Sequence, residues 1–122
     1  MPDTDAIIVF MTAPNHAEAA ALAEMLVEAQ LAACVQLLPQ IESFYRWQGK
    51  IEQQPEVLLI AKTIRTKFAE LVREVRARHS YETPEIVAVA VAACSAPYLD
   101  WLMTSTKTPG TDALPELDGR LD

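Results

Sequence analysis

Within eight residues, "RHSYETPE" at 78–85 gathers an imidazole, a phenol and two carboxylates. His79 beside Glu82 or Glu85 has the composition of a general-base pair, and the same groups could serve as metal donors completed by water or another chain. Lys62 ends the apolar run "VLLIAK", where it can hold an anion or pair with a carboxylate. Tyr45, Trp47 and Tyr81 have apolar bodies with polar tips, which suits both an interface and the wall of a ligand crevice. Cys34 and Cys94 are far apart and show no CxxC spacing, so they read as small buried hydrophobes.

The residues leave three roles open for His79. It can end a helix, where the dipole and the last carbonyls welcome its N–H groups. It can ligate a metal, or act as a polar group in a pocket between subunits. The commonplace reading, helix end, is the favoured one for a lone histidine. The other histidine, His16, lies near the start of a helix and reads as exposed.

The elements that must position these groups follow from hydrophobic periodicity. "AIIVFM" at 6–11 is a short continuous apolar run, expected to be a strand buried on both faces. Asn15 with Glu18 three residues later fits a capping box, and Ala19, Leu22, Leu26 and Ala29 continue a helix over about residues 15–30. From Ala33 the period becomes two, with a turn at Gln48-Gly49 and a return strand over about 50–63. Strands of that length would reach roughly 45–50 Å at about 3.3 Å per residue, well beyond the usual ~17–20 Å. Pro39 and Pro55 lie inside them and mark a bulge or an edge. The distal half of the hairpin is therefore expected to project, and Phe44, Tyr45 and Trp47 need a second subunit to pack against.

A second helix covers about 66–79, with Thr66 as a candidate cap. A last strand, "EIVAVAV", follows, and Ser95 and Pro97 open a short third helix. The order strand, helix, strand, strand, helix, strand is that of an α+β, ferredoxin-like split βαβ sandwich. It implies an antiparallel sheet with helices on one face and a long hairpin formed by the second and third strands. It also brings the start of strand four, just after His79, near Met11 at the end of strand one. Cys34 and Cys94 then belong to strands on opposite edges, too far apart for an intrachain disulfide. Residues 1–106 form this domain, and 107–122 read as an acidic, flexible C-terminal tail.

At 122 residues the chain reads as one domain. Its net charge of -7 argues against nucleic acid or an anionic membrane as partner. Arg73, Arg76 and Arg78 alternate with Glu70 and Glu74 as on a solvated helix face. Two Asp and a short apolar run at the N-terminus do not fit a signal peptide, so a cytoplasmic location is expected. An enzyme is the less favoured class, since the three glycines sit in a turn and the tail and no GxSxG elbow is present.

Four ordered stretches, "AACVQLLPQIESFYRWQGKIE", "EVLLIAKT", "HSYETPEIVAV" and "YLDWL", resemble the CutA family of divalent-cation tolerance proteins over about residues 6–104. The resemblance implies a ferredoxin-like subunit in a homotrimer, with hairpins pairing across subunits as in the PII signal proteins. It implies copper or another divalent metal, weakly bound, or a small ligand at subunit boundaries, and leaves room for an unidentified protein partner. His79, Tyr81, Pro84 and Glu85 match the family's H-P-Y-x-x-P-E motif, with Ser80 at the first proline. Tyr45, Trp47, Gly49 and Ile51 match its hairpin. Where members proposed to bind copper carry Cys and a second His, this chain has Met11 and Arg78. Met11 is a soft donor for Cu(I), whereas a cationic Arg78 cannot ligate. The metal candidates are therefore His79 and Met11, and the crevice candidates Tyr45, Trp47, Lys62, Tyr81 and Glu85.

Overall fold

The structure, a computed structural model, describes residues 5–107. Four strands, β1 (Ala6–Ala13), β2 (Cys34–Trp47), β3 (Lys50–Ile64) and β4 (Ile86–Ala90), form one antiparallel sheet in the order β2-β3-β1-β4. Helices α1 (His16–Glu28) and α2 (Phe68–Arg78) make the two crossovers, giving the α+β split βαβ arrangement expected from the element order. The tail beyond residue 107 lies outside the described residues.

Asn15 caps α1 as its sequence position predicts, its Oδ1 accepting the Glu18 N–H at 2.8 Å. The helix stops without a glycine: Gln30 takes φ 60°, and the Leu31 N–H closes onto the Leu26 carbonyl at 2.9 Å. Helix α2 starts later than its periodicity suggests. A 3₁₀ turn over Arg65–Lys67 precedes it, and no side chain caps it, so Thr66 does not have the expected role.

The core lies between these two helices and one sheet face. Ile7, Val9, Met11 and Ala13 of β1 and Val57, Leu59 and Ala61 of β3 meet Ala19, Leu22 and Leu26 of α1 and Leu71 and Val75 of α2. Helix α3 (Ala96–Ser105) lies outside the repeat. Its Leu99 and Leu102 pack with Ala6, Ile64 and Val91. Ala6 and Ile64 face away from α1 and α2 by strand alternation, so α3 covers one corner of the otherwise open face.

The hairpin is as long as its spacing predicts. Beyond the Ala13–Val57 pair, β3 has only β2 beside it, so residues 41–56 project as a two-stranded ribbon. Pro39 falls in the one register shift, between Leu38 and Ile41, and Pro55 lies in the ribbon where β3 has an unpaired side. At the tip Gln48 and Gly49 take φ 51° and 81°, the two left-handed positions a tight hairpin turn requires.

The cysteines depart from expectation. Cys94 lies beyond β4, in the link to α3, and the helix carries that link back toward β2. The Tyr98 hydroxyl is 3.7 Å from the Cys34 sulfur. Burial first, then Cys34 and, more weakly, Cys94 push that hydroxyl up to about 12. Both thiols are free.

Candidate functional site

Two layers of contacts meet where α2 turns into the loop before β4. The inner one is centred on His79, whose backbone leaves the helix in extended conformation after its N–H reaches the Val75 carbonyl at 2.8 Å. Its ring is fully buried. Nε2 lies 2.8 Å from the Thr12 carbonyl oxygen, and Nδ1 accepts the Tyr81 N–H at 3.0 Å. That pair of bonds selects the tautomer with its proton on Nε2, which donates to Thr12. Glu18 reaches from the first turn of α1 to within 3.3 Å of Nδ1 and accepts the Ser80 N–H at 2.8 Å. His79 thus ties strand β1, helix α1 and its own loop together.

The outer layer is centred on a carboxylate. Glu56, 8% exposed, accepts the Tyr81 hydroxyl on one oxygen at 2.7 Å and the Ser43 hydroxyl on the other at 2.6 Å. The Tyr81 ring is 4.8 Å from the His79 ring and connects the two layers. Burial, and next the bond to Glu56, raise the Tyr81 phenol well above its usual value near 10, so it stays a donor. Tyr45 is close enough to add to that shift. Glu56 and Ser43 carry no local sequence signal. Only the register reveals them, since Ile41 opposes Glu56 and Ser43 opposes Gln54.

The other candidates are placed as follows. Ser43, Tyr45 and Trp47 alternate onto the sheet face that α1 and α2 leave open, with Tyr45 43% and Trp47 57% exposed. Lys62 occupies the same face and donates to the Gln36 side-chain carbonyl. Six residues separate it from Glu56 in β3, roughly 20 Å along the strand, so the two belong to different places. Glu85 and Glu82 are exposed and join neither layer.

Met11 is fully buried in the core against the helices. Arg78 pairs with Glu74 one turn back. Among the described residues no group of three His, Cys, Asp or Glu converges as metal donors do. As folded, His79 has both ring nitrogens engaged and Met11 is enclosed, so this place does not fit a resident metal ion. A metal would have to displace the Tyr81 N–H or the Thr12 carbonyl.

The family described as "CutA1 divalent ion tolerance protein" matches residues 7–105. The divalent-cation tolerance protein CutA of Thermus thermophilus is 43% identical over 99 residues, covering 81% of this chain and 96% of that protein. The chloroplastic protein CutA of Arabidopsis thaliana is 42% identical over 101 residues, covering 83% of this chain but 56% of the longer plant protein. Among solved structures, CutA from Archaeoglobus fulgidus superposes with a TM-score of 0.82 at 41% identity, covering 84% of this chain and 99% of that one. CutA from Xylella fastidiosa gives 0.83 at 38% identity, covering 85% and 100%.

Proposed function

The chain belongs to the CutA1 divalent ion tolerance family, and from that premise we propose that it serves divalent-cation tolerance as a homotrimer sensing a small ligand at its subunit boundaries. One observation carries the reading: exposed apolar and aromatic side chains are spread over the sheet face that α1 and α2 leave open and α3 covers only at one corner. Val87 and Val89 are 50% and 45% exposed there, and Leu38, Tyr45 and Trp47 extend the surface onto the hairpin. Pairing the projecting ribbon with a neighbour's sheet would bury this surface and leave no open strand edge. A crevice at such a boundary would be walled by Tyr45 and Tyr81, with Glu56 at its base and Trp47 further along the ribbon.

Copper or another divalent metal enters this reading as a weak, exchangeable visitor. It gains His79 only by displacing a hydrogen bond that the fold already makes, so uptake is shallow and tolerance acts through sensing instead of storage. No catalytic step is assigned. Native mass spectrometry before and after adding Cu(I) or Cu(II) tests the proposal. A trimer of about 40.5 kDa, three times the 13.5 kDa chain, that gains little metal supports it. A monomer overturns the boundary. A stoichiometric gain of one tightly held metal per chain, lost in His79→Gln, overturns the sensing role in favour of direct metal holding.

A further inference from the structure

Glu56 is, among the described residues, a buried carboxylate without a cation. Among the described residues no Lys, Arg or His pairs with it, and its two partners are neutral hydroxyls. Burying a charge with neutral partners alone is costly. The two hydroxyls use only half of the roughly four positions at which a carboxylate accepts hydrogen bonds. Its surroundings also have a distinct chemistry. Tyr81 is bonded to it, and Tyr45, near enough to Tyr81 to help raise its phenol, is exposed on the same face. A carboxylate beside aromatic faces selects a soft organic cation through charge and cation–π attraction. A hard divalent ion would need about six oxygens, which one carboxylate and two hydroxyls do not supply.

We propose that Glu56 is the receptor for an organic cation, an ammonium or guanidinium group, lying against Tyr45 and Tyr81 on the open face. This deepens the subunit-boundary reading and rests on it for the location, not for the chemistry. The cation comes either from a free amine ligand or from a Lys or Arg side chain of a second copy of the chain.

Calorimetric titration of the full chain with n-butylammonium and butylguanidinium, and 1-butanol as the neutral control, separates these sources. A free-ligand receptor gives saturable binding of either cation, none of the alcohol, and at least tenfold weaker binding in Glu56→Gln, which keeps the acceptor and removes the charge. Tyr45→Ala, exposed on the hairpin, weakens binding without touching the carboxylate. If a neighbouring copy supplies the cation, wild type binds neither probe, and Glu56→Gln weakens subunit association at least tenfold on dilution. Wild-type titration and association both indifferent to Glu56→Gln would overturn the receptor. A monomeric chain would overturn the subunit boundary alone, and the titration would then decide the receptor by itself.

Discussion

Strand β3 divides its side chains between two fates. Val57, Leu59, Ala61 and Thr63 face α1 and α2, and none is more than 4% exposed. Leu58, Ile60 and Lys62 point the other way and are only partly covered, beside the half-exposed Val87 and Val89 of β4. Both faces are apolar, and only one is completed by the chain's own helices. Both crossovers place their helices on the same side, leaving the other to α3 at one corner and open elsewhere. Alternation therefore shows which residues share a face but not which molecule finishes it.

The largest expected effect comes from the covered face. Leu59→Ala removes a fully buried side chain from the centre of the core and should cost about 2–5 kcal/mol in denaturant unfolding. Val89→Ser on the open face, 45% exposed, should cost the single chain about 1 kcal/mol or less and chiefly weaken the proposed association, read by dilution. If Val89→Ser destabilises as much as Leu59→Ala and leaves assembly unchanged, the two faces do not differ in kind.

Thr63→Val probes the covered face at its polar point. The Thr63 hydroxyl, fully buried, donates to the Leu31 carbonyl at 2.7 Å and ties the end of β3 to the loop after α1. Valine keeps the shape and leaves that carbonyl without its donor, a loss of about 1–3 kcal/mol measurable by thermal unfolding. A neutral outcome would mean that water replaces the hydroxyl and the face is less sealed than its burial indicates.

Much of this division was legible in the sequence. The apolar run of β1, the Asn15 cap, the overlong hairpin and the proline at its irregularity each had a local signal with a physical cause. His79 at the helix end followed too, since its position after Arg78 and before an extended loop sets its backbone. The candidate site was legible only by half. Tyr81 and Tyr45 stood out as aromatic residues in recognisable motifs, but Glu56 looked like any charge at the edge of a strand. What buries it is a register set by the bulge near Pro39 and a loop arriving from 25 residues downstream. Glu18 has the spacing of a capping-box residue, and its side chain instead supports the His79 loop. Long-range placements of this kind have no period for a sequence to display.

Asn15→Ala sharpens the comparison at the junction of core and site. Loss of the cap should cost about 1 kcal/mol. Because Glu18 occupies the same first turn, fraying it should also loosen the Ser80 N–H, seen as faster hydrogen exchange there than at the centre of α1. Equal exchange at both places would mean that the loop is held by His79 alone.

The last effect bears most directly on the open-face site. Tyr81→Phe removes the hydroxyl that donates to the buried Glu56 carboxylate and should cost about 1.5–3 kcal/mol near neutral pH. The sign of its pH dependence follows from the phenol being raised in the folded chain above its unfolded value near 10. That stabilisation is fully present below pH 10 and is lost as pH rises through the folded value, because the unfolded chain releases its proton first. Wild type should therefore lose stability more steeply above pH 10 than Tyr81→Phe, and the gap between them should narrow. Tyr98, also raised, is present in both proteins and contributes equally. The Glu56→Gln variant keeps Tyr81 but removes the charge that opposes its ionisation, so its curve should fall between the other two. Parallel curves for wild type and Glu56→Gln, with Tyr81→Phe still shallower, would mean that Glu56 carries no charge against Tyr81, and a carboxylate without charge has nothing with which to hold a cation.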